Sequence, residues 1–549
     1  MNGVVPGAIS NLEPFDYETD NNFDTIEANT TWGLSAEINW ELPFADLTSI
    51  TSYRDSRTDV KNDADMSGAD VINSPGGFDV AVIKTASQEL RFQGTNGPLD
   101  WMVGAYYYKE EQTNVRSAVA GDDYVDVFTL RFGGAAFVDA VFFGNTLGTL
   151  DLDGTGGATA LSFGAPSEPT FGLDVESVAL FTHNSYAIND TLTATVGLRY
   201  SVETKEIDFR QVGGNEACDQ LRGLTGAARA DFFAASQTAR NIMLAVACNG
   251  ALAAPSTAPF DGERTENVWT GTVNLSYQFE NDWLAFVSAS KGYKGGGFTL
   301  DAAPLTIPGT LAALGVPGFS PLDADDLEYE DEQADTYELG IKTQFRDYVG
   351  FPLIVNATAF HTFFRNFQLS NFSGQTFSFT TVNIPRVFSS GVELEVSARP
   401  FAGTSLDAGV TYADAKFGDD MGLAGRDDRQ LSRAPKWSIT GGVTQLFPIL
   451  PNAGLVGVAH LSGKWTSSQN LSGGRNPFSE QESYALFNAT LGVRDADGGW
   501  SVELWGKNIF DQEYAYSKAD SLFSRGADAI QQVFVGEPAT YGVRGRVNF

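Results

Sequence analysis

Apolar and polar side chains alternate one for one through most of this chain. In the closing stretch Tyr541, Val543, Gly545, Val547 and Phe549 share one side, against Gly542, Arg544, Arg546 and Asn548 on the other. A repeat of two is the strand repeat, because successive Cβ atoms leave opposite faces of a pleated backbone. The alternation returns with Trp269, Val273, Leu275, Tyr277 and Phe279 against Thr270, Thr272, Asn274, Ser276 and Gln278. It returns again with Leu192, Ala194, Val196, Leu198 and Tyr200 against Thr193, Thr195, Gly197, Arg199 and Ser201. Tyr337, Leu339, Ile341 and Phe345 oppose Glu338, Lys342 and Gln344, while Trp500, Val502 and Leu504 oppose Ser501, Glu503 and Lys507. One such strand fits a soluble sandwich as well as a membrane barrel. The recurring Glu, Lys and Arg on the polar face separate the two, since each unpaired ion in a dry core costs several kcal/mol. A wet lumen accepts them, so the expected fold is all-β, an antiparallel transmembrane β-barrel with its apolar face in lipid.

The connections alternate in length as well. Short ones fall at Pro43 to Asp46, Asn96-Gly97-Pro98, Asn189-Asp190, Asn281-Asp282, Asp347 to Pro352, Arg399 to Thr404, Ile449 to Ala453 and Asp495 to Gly499. Long ones run over 61–80, 114–170, 208–263, 297–330, 370–382, 417–434, 468–482 and 511–537. Short periplasmic turns on one rim and long extracellular loops on the other are how outer-membrane barrels are built, and sandwiches show no such alternation. The pattern predicts about seventeen strands over residues 25–549, with 1–24 as an irregular lead-in.

Composition narrows the class further. No run approaches the roughly 18 uncharged apolar residues of a spanning helix. The 18 Tyr and 40 Phe suffice for two aromatic girdles at the membrane surfaces. A net charge of −34 argues against a nucleic-acid partner, because binding phosphates needs clustered Lys and Arg. Cys218 and Cys248 are the two cysteines and share one long loop. Paired in an oxidising compartment, they close a loop of about 30 residues with ~3 kcal/mol of stabilisation; unpaired, they are two buried thiols. The Ala-rich stretch between them, Ala227 to Ala239, suits a short helix.

Several segments, taken in order, resemble a TonB-dependent receptor. They are Gly197-Leu198-Arg199-Tyr200, Lys291 to Phe298, Tyr337-Glu338-Leu339-Gly340-Ile341-Lys342, Gly391 to Glu395, Ala434-Pro435-Lys436-Trp437, and Asn508-Ile509-Phe510-Asp511-Gln512-Glu513-Tyr514 before a last strand ending on Phe549. The resemblance covers roughly residues 25 to 549. It implies an importer in the outer membrane of a Gram-negative bacterium, surrounded by outer-membrane lipid, which binds a large scarce nutrient such as a ferric siderophore at its extracellular mouth. The inner-membrane TonB complex would supply energy through an amino-terminal plug region. The barrel-assembly machinery would read the last strand, through Tyr541, Val543, Val547 and Phe549, and the receptor would be a monomer without cofactor or catalytic residue. No signal peptide follows Met1 and no plug-like segment precedes the first strand near Thr25. Against the 22-stranded barrel of such transporters, the chain reads as a carboxy-terminal part lacking roughly five strands. An odd set of strands closing on itself would pair first and last in parallel, and an open edge in lipid leaves backbone groups unsatisfied.

Aromatic residues near the wet rim are the ligand candidates: Tyr107 within Tyr106-Tyr107-Tyr108, Tyr293 with Lys294, and Phe364 with Arg365. Rigid rings give contact area at low entropy cost, and adjacent cations attract anionic ligands. Alternation turns half of any such cluster toward lipid. The acidic run Asp323, Asp325, Asp326, Glu328, Glu330, Asp331 and Glu332 lacks the glycine of a calcium loop and reads as solvated. His183, His361 and His460 lie far apart with no metal-ligand spacing. A passive porin or adhesin barrel is the alternative function, and a hydrolase lacks an assembled Ser-His pair.

Overall fold

The computed structural model describes residues 13–548 apart from 117, 125–126, 128–148, 151–158, 161–167, 213–214, 235–236, 251, 254–258, 280–282, 302, 321–322, 346–349, 374–377, 419–428, 473–476 and 522–530. Seventeen long strands and one two-residue strand form a single eighteen-stranded sheet, antiparallel throughout. In chain order they are β1 (Ile26–Glu41), β2 (Asp46–Asp63), β3 (Ile72–Asn96), β4 (Leu99–Val115), β5 (Glu168–Ala187) and β6 (Leu192–Val212). There follow β7 (Phe260–Gln278), β8 (Leu284–Lys294), β9 (Glu332–Phe345), β10 (Leu353–Ser373), β11 (Ser378–Ala398) and β12 (Thr404–Phe417). The last five are β13 (Trp437–Leu450), β14 (Leu455–Thr466), β15 (Tyr484–Asp495), β16 (Trp500–Lys507) and β17 (Thr540–Val547). Each long strand pairs with the next, so the order along the sheet is the order along the chain.

Register converts the alternation into two faces. Val196 lies opposite Val273, and Leu275 opposite Val287. Val287 in turn lies opposite Leu339. These side chains point out of the sheet, as do Leu339 at 64% and Val543 at 70% exposure, which is the surface a bilayer would cover. The other face carries Arg199, Glu203, Lys205, Glu266, Glu338, Glu393 and Glu503, at alternating positions of the same strands. On one rim the turns are tight. Asn96 pairs with Leu99, and Gly97 takes φ 60 at the first turn position, as a type II′ hairpin requires. The expected loop over 370–382 is mostly strand, because the β10–β11 ladder continues to Ser373 opposite Ser378. Likewise β3 starts at Ile72, well inside the expected 61–80 loop.

No ladder joins β1 to β17 among the described residues, and the two strands run in the same direction. The sheet nevertheless curls until its ends approach at the long-loop rim. There Gln532 Nε2 donates to the carbonyl of Asp65 at 3.3 Å, and Tyr17 lies near Asp511 and Glu513. Phe549 lies outside the described residues; Tyr541, Val543 and Val547 occupy the outward face of β17.

The largest apolar core belongs to the long loops. Helices α1 (Glu216–Arg222), α2 (Gly226–Ala234) and α3 (Gln237–Ala247) lie between β6 and β7, and α4 (Thr306–Ala313) between β8 and β9. Leu221, Phe232, Met243 and Leu244 from the first loop bury against Leu314 from the second, against Ala69 and Val71 between β2 and β3 with Ile72 at the start of β3, and against Tyr124 beyond β4. Cys218 and Cys248 are bonded within this core, their Cα atoms 4.7 Å apart. Asn215 caps α1, accepting from the backbone of Ala217 and Cys218. Four loops distant in sequence thus form one folded cap. Among the described residues no helix is long and apolar enough to cross a membrane.

Candidate functional site

The aromatic candidates divide between the two faces. Tyr107 pairs with Val178 and shares the outward face with Val103 and Leu180. This corrects its placement at a wet site: alternation turns Tyr106 and Tyr108 inward instead. Phe364 points inward and packs with Ile384, Val387, Phe367 and Phe417. Arg365 points outward, where it pairs with Asp335 at 2.7 Å and lies over the Phe363 ring, so the sheet separates these two neighbours. Lys294 is exposed at the end of β8, opposite Glu332.

Tyr293 departs from simple alternation. The β7–β8 ladder ends at Gly271 opposite Lys291, and the chain beyond it folds across the inner wall. There the Tyr293 hydroxyl comes close to Gly295 and to Glu203 and Glu266. Gly296 N donates to Glu266 Oε1 at 3.1 Å, and Gly296 O accepts from Lys205 Nζ. A side chain at Gly295 would meet Glu203 Oε1 at 2.5 Å, and one at Gly296 would meet Glu266 Oε1 at 2.6 Å. The run Gly295-Gly296-Gly297 is therefore what lets backbone lie against this wall.

The wall itself is a charged grid with aromatic borders. Glu203 and Lys205 are two residues apart on β6 and pair at 2.9 Å; Arg264 and Glu266 on β7 pair at 2.6 Å and lie directly opposite them. Arg264 also pairs with Glu328 from the loop. Beside the grid, Arg199 lies 5.4 Å from the Tyr106 ring centroid and 5.8 Å from that of Phe181. Tyr106 stacks on Tyr108, which donates to Glu110. Rings and cations here face the space enclosed by the sheet. Sequence reading had placed Arg199 on the wet face without singling it out. The grid was missed, although Glu203 with Lys205 and Arg264 with Glu266 repeat at the strand spacing that marks it.

Above the grid, a cavity of about 230 Å³ is lined by Asn114, Arg116, Phe298, Asp301, Tyr329 and Phe379 among others. Arg116 pairs with Asp301 at 2.7 Å and lies over Phe379. The acidic run is committed to local structure. Asp323 caps a short helix, Glu330 accepts from Asn366 at 2.8 Å, and Glu332 accepts from the Gln368 backbone. His183 and His460 face inward, against Gly197 and Thr444, while His361 faces outward beside Ser390. Among the described residues no group of three or more His, Cys, Asp or Glu is arranged to hold a metal ion.

In the cap, Asp65 is 1% exposed. It accepts from the Ser67 hydroxyl and from Ile72 N at 2.8 Å. Burial pushes its carboxyl up to about 7, with Asp63 adding like-charge repulsion.

An antiparallel sheet with an apolar outer face, a charged inner face and long loops folded over its mouth defines a β-sheet protein of the membrane-barrel class. The chain belongs to the TonB-dependent receptor family: the family model described as "TonB dependent receptor-like, beta-barrel" matches residues 3–509. Solved structures share the fold. The ferric yersiniabactin uptake receptor FyuA from Yersinia pestis is 15% identical with a TM-score of 0.64, over 96% of this chain and 62% of that one. The siderophore receptor PiuA from Acinetobacter baumannii is 16% identical with a TM-score of 0.60, over 95% and 64%. The copper transporter OprC is 13% identical with a TM-score of 0.58, over 96% and 67%. The chain spans less than two-thirds of the length of the first two. The family is one of receptors and transporters rather than enzymes.

Proposed function

We propose that this chain forms the outer-membrane barrel of a receptor for energy-coupled uptake of a large, scarce nutrient, most readily an iron–siderophore complex. The observation that carries the reading is the inner wall at the long-loop rim. There Arg199, Tyr106, Tyr108 and Tyr293 border a paired Glu–Lys–Arg–Glu grid beneath a folded cap. In this reading the long loops are extracellular, the tight turns periplasmic, and the aromatic–cation surface holds an anionic ligand before passage. The siderophore receptors of similar fold support the ligand class. TonB, reached through a plug region, would supply the energy, the barrel-assembly machinery would insert the strands, and the receptor would act as a monomer.

The test is uptake of radiolabelled iron bound to hydroxamate, catecholate and citrate carriers, by iron-starved cells expressing the receptor. Uptake abolished by a protonophore is the expected result. Ligand entry insensitive to the protonophore, together with steady ion conductance in planar bilayers, would instead identify a passive pore.

A further inference from the structure

From the end of β2 toward β3 the chain reads Asp63-Ala64-Asp65-Met66-Ser67-Gly68-Ala69, with oxygen-bearing side chains at the first, third and fifth places and glycine at the sixth. That is the opening spacing of a calcium loop, in which the seventh residue adds its backbone carbonyl. The twelfth place, a glutamate in such loops, is Ser74 here, and the eleventh is Asn73. The structure draws these places together. The Ser67 hydroxyl donates to Asp65 Oδ1 and lies 3.4 Å from the Ala69 carbonyl oxygen, while Asp63 Oδ1 accepts from Met66 N at 2.9 Å. Asp63, Asp65, Ser67 and Ala69 are all buried. Among the described residues neither carboxylate has a lysine or arginine beside it, and a buried charge without a counter-ion is costly. Asn73 adds a separate observation. It stands directly opposite Asp63 on the β2–β3 ladder and is 4% exposed. Its amide nitrogen donates to Asp70 Oδ1 at 2.6 Å, but its carbonyl oxygen accepts no hydrogen bond among the described residues.

We propose that this loop binds one calcium ion through the carboxylates of Asp63 and Asp65, the Ser67 hydroxyl, the Ala69 carbonyl and the Asn73 amide oxygen, with water completing the shell. Two carboxylates balance a dication, and the remaining donors are neutral oxygens. An irregular set of this kind suits calcium, whose coordination is variable, better than magnesium, which demands a near-ideal octahedron. Only two of the donors are acidic, so the site differs from a cluster of three or more His, Cys, Asp or Glu. The ion would fasten the β2–β3 loop where Ala69, Val71 and Ile72 enter the core of the cap. Chelator gives the cation-free loop, in which burial keeps a proton on Asp65 instead.

Hydrogen exchange of the 63–73 amides in detergent-solubilised protein at pH 7.5 reads the site, titrated with calcium chloride from chelated buffer at constant ionic strength. Exchange should slow with a midpoint at about 0.1–1 mM calcium, the range of extracellular calcium modules. Magnesium chloride should need about tenfold more, and D63N should raise the calcium midpoint by at least about tenfold. D325N, in the acidic run, should leave the midpoint unchanged. If D63N also loses protection in α3, its cap has not folded, and S67A decides instead, with a midpoint raised about threefold. No calcium-dependent slowing in the wild type overturns the proposal. So does equal slowing by magnesium, or an unshifted midpoint in the variant that keeps its cap.

Discussion

Replacing Asp65 with Asn should make the cap insensitive to pH. The carboxyl is buried where the β2–β3 loop meets the loop beyond β4, with Asp63 nearby; in the same loop contact Asp70 N donates to Asp123. Its folded value of about 7 stands about three units above that of an aspartate in water, and each unit is worth about 1.4 kcal/mol. The folded cap therefore keeps the proton to higher pH than the unfolded loops do. Its contribution is fully present below about pH 4, falls as pH rises, and is lost above about pH 7, a swing on the order of 4 kcal/mol. Asn keeps an acceptor for Ile72 N–H and offers an amide donor to the Ser67 hydroxyl, so D65N should hold the cap closed at pH 8. Hydrogen exchange of the α3 amides between pH 4 and 8, corrected for intrinsic exchange, measures the opening free energy. Wild type should lose protection with rising pH and D65N should stay flat. If D65N retains the wild-type slope, Asp65 does not control the cap and the assignment of its proton is wrong.

Three other outcomes follow from the two faces and the cap. Reducing the Cys218–Cys248 bond, which spans 30 residues, should destabilise the cap by about 3–4 kcal/mol; proteolysis should cut the cap loops first and leave the strands resistant. Leu339→Arg should cost ~2–4 kcal/mol in a bilayer, and Glu338→Gln on the inner face under 1 kcal/mol, as read by denaturant unfolding in vesicles. Tyr106→Ala or Arg199→Ala should weaken nutrient binding about 5- to 30-fold through loss of the cation–ring contact. Tyr107→Ala should leave it unchanged in the same titration, and a loss there equal to that of Tyr106→Ala would contradict the facing of β4.

What the sequence disclosed and what it hid have separate physical causes. Side-chain alternation depends only on backbone pleating, so the facing of Val273, Leu339, Glu338 and Arg199 could be read locally, as could the rhythm of short and long connections. The cap could not. Ala69, Tyr124, Leu244 and Leu314 come from four loops and meet only because the curled sheet brings those loops over one mouth. Their segments have no shared period, and the short helices are stabilised by tertiary packing rather than by propensity. The expected long loop at 370–382 failed for a related reason: Thr380, Thr381 and Ser370 look like loop residues, yet ladder pairing with an existing neighbour strand extends the hairpin.

The proposed nutrient site lies where alternation stops being a guide. Up to Lys291, β8 is held on both sides and parity fixes each side chain. Past it the β7 partner is gone, and Gly295 and Gly296 permit the chain to press on Glu203 and Glu266, where a Cβ would come within 2.5 and 2.6 Å of a carboxylate oxygen. Tyr293, which parity alone would send toward lipid, is carried to the inner wall by that crossing. Aromatic content singled out Tyr293 and Tyr107 alike, yet only the first turns to the inner wall, by that crossing; at Tyr107 β4 remains paired on both sides, parity holds and the ring faces outward. In a sheet of this kind a ligand-facing ring is better sought where one ladder ends beside a glycine run than where aromatic residues are densest.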